Sequence, residues 1–304
     1  MRVLVAGASG VLGRSLVPLL RARGHHVTAM VRNPASGVIG ADDVVLADAL
    51  DREAVHAAVL TAKPRAIVHQ LSALRGHDLE TTARLRTEGT ANLLTAARES
   101  GADRFVAQSI AFATAPVGDP VGDEDAPLYL DAPDEGWART VSAVAELERL
   151  VLHAKDVAGV VLRYGTLYGR GTWYHPGGAV GAALAAGRFR LPEVARGITS
   201  FVHVEDAALA AVTAVGDAGD VRGTFNITDD DPAEAEVWAP ELARAFGGPE
   251  PRRVPAELAE RLHGWFGAHQ LTALRGAAND RARQALNWKP ARPTWRRGIA
   301  GDDR

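Results

Sequence analysis

The chain has 304 residues, a formal net charge of −3 and a sequence pI near 6.4; the length suits one core-bearing domain with a smaller one, and the charge suits neither nucleic acid nor an anionic membrane surface. It contains no cysteine, which excludes disulfides, thiolate catalysis and cysteine-ligated metals and fits a cytoplasmic setting. No apolar stretch is long enough to cross a bilayer, and with residue 3 already in a core strand no signal peptide is expected.

The first element is a short apolar strand, Arg2-Val3-Leu4-Val5-Ala6, running straight into Gly7, Gly10 and Gly13. That order is what a dinucleotide pyrophosphate needs: one glycine for the tight turn, one for backbone approach to the phosphates, one for close packing of the next helix. The helix that starts near Val11 and Leu12 points its unsatisfied N–H groups at the anion, with Ser9 beside them. The second strand, His26 to Val31, runs up to Asn33 and a proline stop at Pro34. An acidic residue at its end would bind a ribose hydroxyl and mark NAD, whereas this chain carries Val31 and Arg32 there. A guanidinium suits a 2′-phosphate, so Arg32 with Asn33 points to NADPH (NADP+), with NADH left possible.

Strands and helices then alternate. Asp43 to Ala47 predicts a third strand ending at Asp48, residues 51–61 a helix, and Ala66 to Leu71 a fourth strand. Residues 78–100 form a long helix with Arg84 and Glu88 on its exposed face, and Arg104 to Ser109 a fifth strand. The acidic, proline-rich stretch 115–136 reads as a solvated excursion that could close over the site, followed by a helix over 137–153 and a sixth strand from Val157 to Tyr164. Beyond it come a glycine-rich segment with Trp173, Tyr174 and His175 together, a return at Phe201 to Val204, a helix over 205–215, a late strand at Phe225 to Ile227, and a mostly helical remainder. The pattern predicts an α/β fold: a Rossmann-type doubly wound parallel sheet with a smaller C-terminal substrate-binding domain. Residues 1–166 and 201–227 would form the NAD(P)-binding domain, and 167–200 and 228–304 the cap. His69 and His203 lie in apolar surroundings and read as satisfied core residues, and no set of side chains has metal-ligand spacing.

Gly7 to Gly13, Asp48, Leu71-Ser72-Ala73, Leu162 to Gly169, Phe201 to Asp206 and Asn279 to Pro290 together resemble the extended short-chain dehydrogenase/reductases, over nearly the whole chain. The resemblance implies that Asp48 and Ala49 flank the adenine, that Leu71, Ser72 and Ala73 line the cofactor ribose, and that Gly165, Thr166 and Leu167 lie near the nicotinamide. Gln108 and Tyr164 complete the implied cofactor set.

The family's catalytic tyrosine, its lysine four residues later and its serine do not carry over. Four residues after Tyr129, Tyr164, Tyr168 and Tyr174 stand Pro133, Tyr168, Thr172 and Gly178, and the only lysines are Lys63, Lys155 and Lys289. Aligned on Glu148, the tyrosine position is Thr140 and the lysine position Val144, with Ile110 or Ser109 at the serine position. General acid catalysis is worth roughly 3–5 kcal/mol, whereas positioning of reactants can supply roughly 7–11 kcal/mol. The chain is therefore identified as an atypical member: a ketoreductase acting on a flat aromatic ketone whose own neighbouring phenol protonates the alkoxide. A ring ketone of an angucyclinone-type aromatic polyketide, met in antibiotic biosynthesis, fits this description. Ser109, Ile110, Thr140, Tyr168, Trp173, Tyr174 and His175 are the expected substrate-pocket residues, and Ser109 and Tyr168 the back-up acids. A silent NADPH-binding sensor of the NmrA-like kind and a relative of the sugar-nucleotide epimerases and dehydratases are the other readings. The partner is a small aromatic ketone, with no nucleic acid and no membrane, and the chain is a monomer or a homodimer.

Overall fold

The computed structural model describes residues 1–33, 37–38, 40–73, 78–216 and 221–301, without the side chains of 300 and 301; the proline stop at Pro34 lies outside the described residues. Seven strands, β1 (Arg2–Ala6), β2 (His26–Val31), β3 (Asp43–Leu46), β4 (Ala66–His69), β5 (Arg104–Ile110), β6 (Ala158–Tyr164) and β7 (Gly223–Ile227), form one sheet. Its order is β3-β2-β1-β4-β5-β6-β7 with every neighbouring pair parallel, the doubly wound arrangement.

The sheet is covered on both faces because the strands bury both sets of side chains. In β1, Val3 and Val5 join a cluster with Leu16 and Leu20 of α1 (Val11–Ala22) and Ala207 and Val215 of α5 (Val204–Gly216). Leu4 and Ala6 point the other way, to Val55 and Val59 of α2 (Arg52–Ala62), to Leu93 of α3 and to Leu147 and Val151 of α4 (Glu135–Leu152).

The helix α3 spans Leu79–Arg84, a π-helical turn Leu85–Gly89 and Thr90–Ser100. The buried imidazole of His69 props up that turn: its Nε2–H faces Thr90 Oγ1 at 3.1 Å and the Leu85 carbonyl at 3.3 Å, while its Nδ1 accepts from the Leu71 N–H at 3.2 Å. Burial pushes its pKa down to about 4.

The acidic stretch 115–136 is not the free excursion its composition suggests. Val121–Gly122 pairs in parallel with Gly276–Ala277. Glu124 is buried, accepting from the Asn226 N–H of β7 at 2.6 Å, and burial holds its carboxyl above the usual range. A further apolar cluster draws Tyr168, Tyr174, Phe189 and Phe201 from the middle of the chain together with Trp238, Leu271 and Trp295 from its end. The end segment is stitched to α5 by Asp206, whose carboxylate accepts from the N–H groups of Ala291 and Arg292, both at 3.0 Å. No helix among the described residues is long and apolar enough to cross a membrane, and no group of His, Asp or Glu converges as a metal set.

Candidate active site

The site lies at the carboxyl ends of the strands, beginning with the loop from β1 to α1. Gly7 has φ +95°, and a Cβ there would stand 2.6 Å from the Gln70 carbonyl oxygen. A Cβ on Gly13 would meet the Gly7 carbonyl oxygen at 2.3 Å, so that glycine lets α1 lie against the loop. Gly10 is the N-cap of α1; no side chain caps the helix and no acidic residue occupies its first turn. The positive end of the helix, flanked by Ser9, Val11 and Leu12, is left for an anion. At the end of β2, Arg32 is exposed and makes no hydrogen bond or ion pair among the described residues, and Asn33 beside it is also exposed. Asp48 accepts from the Leu50 N–H at 3.0 Å, and the Ala49 carbonyl accepts from Asn92 at 3.0 Å. Leu71, Ser72 and Ala73 follow His69, with Ala73 tied through its N–H to Thr82 Oγ1 at 3.1 Å. Gly165 and Thr166 are fixed by N–H bonds to the carbonyls of Ile227 at 3.0 Å and Ser200 at 2.8 Å, with half-buried Leu167 next. These features fit a dinucleotide: an uncapped helix end, a glycine turn with no room for side chains, and an exposed arginine at the end of β2.

The reaction end is of a different character. Thr140 donates its hydroxyl to the Gly136 carbonyl within α4 at 3.0 Å, and Val144 is fully buried with Ile110, Ala113, Trp137 and Val141. All three lysines are exposed, so no ammonium enters this centre. Ser109 donates to Glu148 Oε1 at 2.7 Å, and Glu148 is held bidentately by Arg163 at 2.8 and 2.7 Å in a buried pair. The Ser109 proton is thus committed to a tie between β5, β6 and α4. This side chain is framework rather than a donor facing substrate, and its expected back-up role loses its basis.

Three of the four phenols are equally withdrawn, while Tyr129 is half-buried against Trp265 and His269. Tyr164 is buried and accepts from Gln70 Nε2 at 3.3 Å, and burial raises its pKa well above the ordinary value. Tyr168 is fully buried, edge-on to Phe201 and His203, with its hydroxyl against Gly298. Tyr174 packs edge-on to Phe201 and Trp238, and burial pushes its pKa up to about 12. The structure therefore separates the loop trio: Tyr174 enters the core, His175 Nδ1 accepts from the Gly177 N–H at 3.1 Å, and Trp173 stays exposed. Gln108 is half-buried on β5.

Three features escape the sequence reading. An aromatic wall forms where Trp137 stacks on Phe266 at 3.8 Å, with Phe112 beside both and Trp265 stacked on His269 at 5.0 Å. The helix Ala256–Thr272 that supplies Phe266 is broken at Gly264, φ +72°, which no apolar periodicity would announce. A narrow recess, open to solvent, lies between the residues after β5 (Ala111, Phe112), those after β6 (Gly165, Thr166), Ser200 and the segment from Leu274 to Ala277. Arg275 stands in its wall. Arg86, on the π turn, is buried without a hydrogen bond or ion pair among the described residues, and burial lowers its pKa to about 10.

Residues 3–228 match the NAD dependent epimerase/dehydratase family. A Streptomyces sp protein, "3-diazoavenalumate denitrifying reductase", is 60% identical over 98% of this chain and 99% of its own length. A Stigmatella aurantiaca protein, "4-hydroxy-2-methyl-3-oxo-4-farnesyl-3,4-dihydroquinoline-1-oxide ketoreductase", is 31% identical over 81% of this chain and 74% of its own. Among solved structures, Thermus thermophilus UDP-glucose 4-epimerase in complex with NAD superposes with a TM-score of 0.74 at 22% identity, covering 99% of this chain and 97% of that one.

Proposed function

The chain belongs to the NAD dependent epimerase/dehydratase family and is a reductase within it; from that premise we propose that it uses NADPH to reduce an acceptor needing no proton from the protein, namely an aryl diazo group lost as dinitrogen. The observation that carries this reading is the apolar filling of the proton-relay positions, with Val144 fully buried and Thr140 bonded to its own helix. When bound, the nicotinamide supplies a hydride, and an arenediazonium that takes up a hydride leaves as the arene and dinitrogen, a balance that calls for no general acid.

The residues have separable tasks. The Gly7–Gly13 loop and the α1 N-terminus hold the diphosphate, and Arg32 takes the 2′-phosphate. Asp48 and Ala49 border the adenine; Leu71 to Ala73, with Gln108, Tyr164 and Gly165 to Leu167, border the ribose and the nicotinamide. Phe112, Ile110, Trp137 and Phe266 hold a flat ring and keep out water, which would otherwise convert a diazonium to a phenol. Residues 167–200 and 228–304 act as the substrate cap, in keeping with their shared apolar cluster.

A second reading is reduction of a ring ketone on an aromatic polyketide of the angucyclinone type, favoured by the resemblance to the Stigmatella ketoreductase. A ketone hydrogen-bonded to its own peri-hydroxyl would also dispense with a protein acid. The test is NADPH oxidation in the presence of an arenediazonium, with 4-deuterated cofactor and a protein-free control. Deuterium at the carbon that lost nitrogen, at a rate well above the control, is expected. Oxidation no faster than the control, with a peri-hydroxy quinone reduced to a chiral alcohol, overturns the first reading for the second.

A further inference from the structure

The segment carrying Arg275 is fixed on several sides. The Leu274 carbonyl accepts from the Ile198 N–H at 2.8 Å, the Gly276 N–H donates to the Pro120 carbonyl at 2.9 Å, and the Ala277 N–H donates to Ser200 Oγ at 2.8 Å. Arg275 is thereby set in the wall of the recess, which Phe112, Gly165 and Thr166 also line. Its Nε is buried and has no hydrogen-bond acceptor, and its guanidinium makes no ion pair with a described carboxylate. The other lining residues are all neutral. An arginine stays charged at every physiological pH, and a guanidinium N–H withdrawn from water without an acceptor costs stability. Such a group is retained where a ligand completes it.

Resting on the reductase reading above, we propose that Arg275 grips a carboxylate on the acceptor, which makes aromatic carboxylic acids the substrate class. A carboxylate matches the guanidinium fork with two parallel oxygens. The site also limits what accompanies it. The recess is narrow and opens to solvent, so it takes the carboxylate end of an acceptor whose ring stays at its mouth, rather than enclosing a fused polycycle. The ring rests on Phe112 while the acid reaches Arg275. The diphosphate of a nucleotide sugar offers the same anionic chemistry but brings two charges and a nucleoside, for which a single arginine and a small recess are a poor match.

The experiment is calorimetric titration of the full chain saturated with NADP+, using unreactive probes: 4-hydroxycinnamate, its methyl ester and UDP-glucose. Wild type is expected to bind the acid at least about tenfold more tightly than the ester. Arg275→Met should erase that preference without altering NADP+ affinity, and Arg275→Lys should restore part of it as a single point charge. Equal affinity of wild type for acid and ester, or an intact preference in Arg275→Met, overturns the assignment. So does UDP-glucose binding more tightly than the acid and depending on Arg275. The acid–ester comparison in wild type stands even if the variant fails to fold. Turnover of arenediazonium compounds without an acid preference refutes this assignment alone, and an acid preference without turnover of any acceptor refutes the reductase chemistry alone.

Discussion

Replacing His69 with Gln tests how the cofactor loop is held. The imidazole is buried at the end of β4 and must stay neutral to accept from the Leu71 N–H while donating toward Thr90 and the Leu85 carbonyl. Its pKa is about 4 in the fold against 6.5 for an ordinary histidine. The fold thus prefers the unprotonated ring, so this stability is present in full above pH 6.5 and drains away as pH falls toward 4. Linkage puts the loss between pH 7.5 and pH 4.5 at roughly 2–3 kcal/mol. Urea unfolding at those two pH values measures it. Glutamine can still accept and donate but does not titrate, so the wild-type drop should exceed that of His69→Gln by roughly 2–3 kcal/mol. NADP+ affinity should weaken over the same window in wild type, because a protonated Nδ1 cannot receive the Leu71 N–H. Parallel pH slopes for the two proteins would show that the ring does not titrate with folding and would refute the reasoning.

Other outcomes follow from the same geometry. Arg32→Glu removes a charge-assisted partner worth about 1.5–3 kcal/mol, so kcat/KM for NADPH should fall roughly ten- to hundredfold with NADH little changed; equal losses for both cofactors would place Arg32 outside the 2′-phosphate site. Burial raises the Asp229 carboxyl to about 8, and its Oδ2 has no partner. The fold therefore keeps a proton that the unfolded chain loses above about 3.8, and stability falls as pH rises toward 8. Asp229→Asn should gain roughly 3–4 kcal/mol more over wild type at pH 8 than at pH 5, read from urea midpoints. The double variant Thr140→Tyr, Val144→Lys puts an ammonium into a fully buried apolar cluster, which costs several kcal/mol. Its thermal midpoint should fall by several degrees without a gain in ketone reduction; a gain would show that this cluster readily accepts the pair.

How much of this could be read from residues alone depended on how local the signal was. The succession of strands and helices follows from buried apolar runs alternating with helical segments, and the cofactor loop from three glycines whose roles are backbone geometry. Both are short-range properties. The fate of Tyr174 was not readable, because the same aromatic suits a loop lining a pocket or a plug in a core; Trp238 and Phe201, distant in sequence, decide it. Glu124 looked like one acid among many in a solvated stretch, yet the Asn226 N–H and the pairing of Val121–Gly122 with Gly276–Ala277 bury it. Ser109 read as a catalytic remnant because nothing near it in sequence shows that Arg163 and Glu148 claim its hydroxyl.

That last contact bears on how the site can lack its proton relay and keep its shape. A buried ion pair left with one partner is strongly destabilising, by about 3–5 kcal/mol. Glu148, Arg163 and Ser109 join α4 to β6 and β5, and Arg163 also donates to the Glu124 carbonyl at 3.1 Å. The position of α4 is therefore set by this tie and by the Trp137 cluster, independently of whether residues 140 and 144 carry a phenol and an ammonium. A chain without those two groups lacks a proton donor there yet keeps the helix in place, and Val144 fills its position with apolar packing. On the proposed reading, chemistry that needs no proton would be served by this rigid apolar cluster. Chemistry that leaves an alkoxide must bring its own acid.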